Sequence, residues 1–121
     1  MRAVSADLPR STESVRTARR LVRNHTAAFD ARLRDDVGLM VSELVTNALR
    51  HGNGSVTLRL TAGPDGVRVE VADEGSGPVL VNAAPDAEGG WGLRLVDTLA
   101  DAWGVEASST VVWFWLRHTR R

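Results

Sequence analysis

The chain has 121 residues, 15 basic and 15 acidic residues, and no cysteine. The charge balance removes the broad attraction that drives non-specific binding to nucleic acid or to an anionic membrane, and the missing thiols exclude disulfides and thiolate metal sites. The length suits a single domain over residues 1–121 with a core that holds without staples.

The opening stretch MRAVSADLPR has no signal-peptide core, and no apolar run approaches the roughly 20 residues that span a bilayer. The expectation is a cytoplasmic protein with neither a membrane nor nucleic acid as a direct partner. A short strand is expected around Ala3 to Ala6. Pro9 and Ser11 then punctuate the start of a helix from Thr12 to Phe29, with Val15, Ala18, Leu21, Val22 and Ala28 at helical spacing and the arginines mainly on the wet side. A second helix, Leu33 to His51, has the strongest 3.6-residue period in the chain, and HGNGS ends it with glycines able to take positive φ.

The period then changes to two. SVTLRLTA alternates Val56, Leu58 and Leu60 against Thr57, Arg59 and Thr61. VRVEVAD does the same with Val67, Val69 and Val71, and GPDG between them supplies a turn, so an antiparallel hairpin with one dry face is expected. Glu74 to Gly90 has no period and is rich in Gly, Pro, Ala and Asp, which makes a loop of about 17 residues, longer than a compact domain carries without a use for it. GLRLVDTLA resumes helical spacing, and AWGVEA and TVVWFWLR close the chain as two strands around SS. The order fits α+β, with helices covering one face of a mostly antiparallel sheet.

Three clusters carry candidate chemistry. In ELVTNALRHG, Glu43, Asn47 and His51 recur every four residues along one flank of the second helix, while Met40, Val41, Leu44, Val45 and Ala48 form the buried side. A solvated polar flank has this pattern. So does a site in which Asn47 offers an amide oxygen to magnesium and Glu43, one turn earlier, orients or deprotonates a nucleophile. In VADEGSGP, Asp73 ends a strand and is followed by Gly75 and Gly77; this is good turn composition, and also a carboxylate able to accept from an exocyclic amino group beside backbone that comes close to a flat ligand. In GGWGLRLV, Gly89, Gly90 and Gly92 lead into a helix whose free amides suit phosphate oxygens. Neither a GxxxxGK[ST] loop nor a strand running directly into a GxGxxG helix occurs.

Taken in order, ELVTNALRHG, DEGSGP and GGWGLRLVDTLADAWGV resemble the N, G1 and G2 boxes of the GHKL (Bergerat-fold) ATPases, with the likeness strongest to the RsbW-like anti-sigma-factor serine kinase branch. It covers roughly Val37 to Leu116. The resemblance implies a two-layer α/β sandwich, with helices on one face of a mostly antiparallel mixed sheet, that binds ATP and Mg2+. Asn47 would hold the magnesium ion, Glu43 would be the general base, and Asp73 would read the adenine amino group. Gly75 and Gly77 would pass close to the base, Gly90, Gly92 and Leu93 would border the phosphates, and the 74–90 loop would be the lid. It also implies a serine of an antagonist protein as phosphoryl acceptor and a sigma factor as second partner.

Two departures bear on activity. Trp91 stands where the branch usually has Arg between the G2 glycines, and Ser109, Thr110 and Val111 stand where GKT commonly precedes the last strand. A basic contact to the phosphates is thereby missing, and removal of such a group slows phosphoryl transfer by orders of magnitude. A binding module without transfer activity, and the ATP-binding half of a split sensor histidine kinase, stay open beside the serine kinase. The last strand is apolar on both sides, with Val111, Trp113 and Trp115 opposite Val112, Phe114 and Leu116. One side should pack on the helices. The other is either shielded by neighbouring side chains or forms a homodimer or partner surface.

Overall fold

The computed structural model describes residues 2–75, 92–106 and 109–118. Its elements are β1 (Arg2–Leu8), α1 (Glu13–His25), α2 (Ala31–His51), β2 (Val56–Gly63), β3 (Gly66–Asp73), α3 (Gly92–Leu99), β4 (Ala102–Val105) and β5 (Val112–Arg117). The strands form one sheet in the order β1-β2-β3-β5-β4. This is the expected two-layer α+β arrangement.

Every pairing among these strands is antiparallel, so the parallel component implied by a mixed sheet does not occur among the described residues. The reason is the final hairpin. β4 takes the outer edge and β5 folds back between it and β3, so β3 and β4 share a direction without touching.

The two periodicities meet in the core. Val56, Leu58 and Leu60 of β2, Val67, Val69 and Val71 of β3, and Val112, Phe114 and Leu116 of β5 are buried on one face of the sheet. Against them lie Ala18 and Val22 of α1, Val37, Met40, Val41, Leu44 and Val45 of α2, and Leu93 and Val96 of α3. Burying each such side chain contributes about 1.5–3 kcal/mol relative to leaving it in water.

Helix ends are set by side chains that the period alone does not reveal. α1 stops at His25, four residues before the expected Phe29, because the Thr26 hydroxyl donates to the Val22 carbonyl at 2.7 Å and Phe29 N turns back to Thr26 O at 3.0 Å. Phe29 then meets the ring of His118 edge-on, with centroids 5.0 Å apart. α2 begins at Ala31, two residues earlier than the period suggests, since the Asp30 carboxylate accepts from Leu33 N at 2.8 Å and caps the first turn.

On the outer face of the sheet, Trp113 and Trp115 are half-buried. The Arg68 guanidinium lies 4.7 Å from the Trp113 ring centroid and pairs with Glu70 at 3.0 Å. A Cβ on Gly104 would lie 3.0 Å from Trp113 Nε1, and one on Gly66 would lie 2.9 Å from Trp115 Cη2. Both glycines thus leave room for an indole, and the Arg68 guanidinium covers part of Trp113.

Candidate nucleotide site

α2 crosses the buried layer and ends where β3 ends. Its last turn is held from outside: the Arg10 guanidinium donates to the carbonyls of Ala48 and Gly54, each at 3.2 Å, and to that of Leu49. Leu49 O is one of the carbonyls a helix C-terminus leaves without an intrahelical partner, and Gly54 lies beyond the helix. Gly52 closes the helix, its N donating to Ala48 O at 2.9 Å.

Of the glycines that HGNGS offers for positive φ, Gly54 takes it, at 67°, while Gly52 has φ −94°. What Gly52 supplies is space, because a Cβ there would lie 2.3 Å from Asp73 Oδ2 and 2.7 Å from Ala48 O. The Asp73 carboxylate therefore rests against the C-terminal end of α2, one turn and a half beyond Asn47.

Asp73 is fixed from several directions. Its Oδ1 accepts from Gly75 N at 2.6 Å and from Asn53 N at 3.3 Å, and no described residue hydrogen-bonds its Oδ2. The Thr110 hydroxyl donates to Asp73 O at 2.9 Å and lies 3.2 Å from Asp73 N, clasping the end of β3 from the β4–β5 turn. Below this, Glu74 N donates to Asn53 O at 2.8 Å, and Glu74 Oε1 accepts from Ser55 N at 2.6 Å and from Ser55 Oγ at 2.8 Å. Those Ser55 bonds, the backbone one foremost, hold the Glu74 carboxyl below its ordinary range.

Glu43 and Asn47 are half-buried on successive turns of α2, and no hydrogen bond among the described residues engages either side chain. The amide oxygen of Asn47 is thus a hard donor without a hydrogen-bond partner among the described residues, which fits a cation that takes oxygen ligands and keeps much of its water. Among the described residues no group of three or more His, Asp or Glu gathers to hold a metal. A single amide ligand, with phosphate oxygens and water completing the shell, needs no such group.

The other expected site residues divide. Gly75 is described, and its missing side chain makes room for Asp73 and Asn53, since a Cβ would lie 2.8 Å from Asp73 Oδ1 and 3.0 Å from Asn53 Nδ2. Leu93 is a core residue, 7% exposed. Gly92 opens α3. Gly77, Gly90, Trp91 and all but the first two residues of the expected 74–90 lid lie outside the described residues. The contacts of Arg10 with the end of α2, of Gly52 with Asp73 and of Thr110 with the end of β3 join residues distant in the chain, and no periodic pattern announces them.

The family model for the histidine kinase-like ATPase domain matches residues 8–116. The chain is similar to the serine-protein kinase RsbW of Bacillus subtilis (strain 168), 36% identical over 95 residues that cover 64% of this chain and 59% of that protein. It is also similar to the proteins of that name from Bacillus velezensis, 34% identical over 95 residues with 64% and 59% covered, and Bacillus pumilus, 34% identical over 97 residues with 64% and 60% covered. The chain spans about three-fifths of the length of these relatives.

Proposed function

The chain belongs to the histidine kinase-like ATPase domain family, and from that premise we propose that it is a Mg-dependent, ATP-binding regulator of the RsbW-like type. In this reading it transfers a phosphoryl group to a serine of an antagonist protein and sequesters a sigma factor when that antagonist is unavailable. The observation that supports the reading is the packing of the Asp73 carboxylate onto Gly52, at the end of the helix that carries Asn47 and Glu43 five and nine residues earlier.

Each residue then has a task. Asp73 Oδ2 accepts from the adenine amino group while Oδ1 stays engaged by Gly75 and Asn53, so the carboxylate is oriented before the base arrives. Asn47 holds magnesium, which when bound neutralises charge on the phosphates. Glu43 takes the proton of the attacking serine hydroxyl. Thr110 keeps the end of β3 in register with the β4–β5 turn.

The missing basic residues at Trp91 and around Thr110 favour binding over fast transfer, which keeps a regulator without transfer activity as the second reading. The test is calorimetric titration with ATP, with and without magnesium, followed by incubation of the protein and its antagonist with labelled ATP. Magnesium-dependent heat and acid-stable label on the antagonist are expected. Heat without label favours the second reading, acid-labile label points to a histidine acceptor, and absence of heat removes the nucleotide site.

A further inference from the structure

An open groove of about 470 Å3 runs between α1 and α2 and reaches Glu43 without including Asn47 or Asp73. Its α1 wall carries Arg19 and Arg23, four residues apart and therefore on one face of the helix. Both are exposed, and neither forms an ion pair among the described residues. At the mouth, the Arg34 guanidinium is anchored by donating to Phe29 O at 3.2 Å and Ala27 O at 3.4 Å. The α2 wall presents Asp35, Leu39 and Glu43 on successive turns. Leu39, 47% exposed, is the one large exposed hydrophobic side chain among the described residues.

The groove thus has three guanidinium groups against two carboxylates. Arg19 and Arg23 are exposed, Asp35 is exposed, Arg34 and Glu43 are half-buried, and the α1 surface continues into exposed Arg16 and Arg20. In a chain with equal numbers of acidic and basic residues, such a one-sided helix is a local field that attracts anionic partners. Leu39 supplies an apolar anchor point, and the next turn of α2 brings Glu43.

We propose that this groove docks the acceptor protein through a segment with acidic residues facing Arg19 and Arg23, an apolar side chain over Leu39, and the acceptor hydroxyl at Glu43. The proposal deepens the kinase reading above and rests on it for the role of Glu43. The binding itself requires only the groove.

Two labelled serine peptides of equal length test it by fluorescence anisotropy on the whole chain, without nucleotide and at low salt. One flanks the serine with Asp, Glu and a leucine; in the other, lysines replace the acids. The acidic peptide is expected to bind at least tenfold tighter. Combined Arg19→Glu and Arg23→Glu should abolish that preference, and Leu39→Ser, which leaves the charge alone, should weaken the acidic peptide severalfold. ATP affinity by calorimetry should be unchanged in both variants. Equal binding of the two peptides, or a preference surviving the double charge reversal, overturns the proposal. So does an oligonucleotide of matched charge that binds as tightly as the acidic peptide and is lost in the same variants. Peptide binding retained in a protein that gives no heat with ATP supports the groove while removing the nucleotide reading.

Discussion

The layer between sheet and helices and the C-terminal end of α2 are built on opposite rules. In the layer, Phe114, Met40 and Val69 are wholly buried, and the buried hydroxyls of Ser14 and Thr26 each donate to a backbone carbonyl, of Pro9 and Val22 respectively. Nothing there is left for a ligand. At the end of α2, by contrast, the backbone is tied down by Arg10, Thr110 and Asn53, while the Asn47 amide and Asp73 Oδ2 have no hydrogen-bond partner among the described residues. The difference separates stability from recognition. The layer fixes the fold, and the other region holds polar atoms rigidly with their bonding capacity unspent, as preorganised binding requires.

The largest expected effect breaks the layer. Phe114→Ala removes a fully buried ring between β3 and β4 and should cost about 3–5 kcal/mol by denaturant unfolding. ATP affinity per folded molecule, measured under conditions where the variant stays native, should be unchanged. A loss of affinity in the folded variant would show that the two regions are not separable.

Gly52→Ala lies at the border between them. The added methyl would meet Asp73 Oδ2 and Ala48 O, and overpacking of this kind costs about 1–3 kcal/mol. The carboxylate must move to admit it, so ATP binding should fall together with stability. Loss of stability with ATP binding intact would remove Asp73 from the base pocket.

Asn47→Ala should sharpen the contrast from the other side. The half-buried amide has no hydrogen-bond partner among the described residues, so unfolding free energy should shift by no more than about 0.5 kcal/mol. Mg-ATP affinity should fall about tenfold, or about 1.4 kcal/mol. Glu43→Ala should leave that affinity alone and slow transfer. Equal loss of binding in both variants would contradict the division of roles.

Legibility in the sequence follows the same division. Alternation in SVTLRLTA and VRVEVAD, and the helical period from Val37 to Val45, lie within single elements and announce which face is buried; that is why the layer could be read directly. The insertion of β5 between β3 and β4 depends on which edge a strand joins, which no local pattern encodes; the mixed sheet is what the family resemblance implies. In the site, Asp73 and Asn47 were marked by motif spacing. The approach of Asp73 to the end of α2 depends on Gly52 lacking a side chain, which the local pattern of HGNGS does not announce. Leu93, given to the nucleotide by resemblance, is buried with Val96 on α3.

The smallest effect concerns the turn beneath Asp73. Glu74 is exposed, and its Oε1 accepts two bonds from Ser55, the backbone one foremost, which favour the ionised form and hold its carboxyl below the ordinary range in the folded chain. A carboxyl whose folded pKa is depressed stabilises the fold above its unfolded pKa, and that contribution is lost as pH falls through the lower folded value. Glu74→Gln keeps the side chain's length but removes the charge, so the variant should unfold slightly more easily than the parent at neutral pH. The gap should close on acidification through the carboxylate range. Exposure and salt screening keep the effect small, so the informative measurement is the pH dependence of the difference between the two denaturant midpoints. A difference constant from neutral to acid pH would mean that Ser55 recognises the shape of the side chain and not its charge.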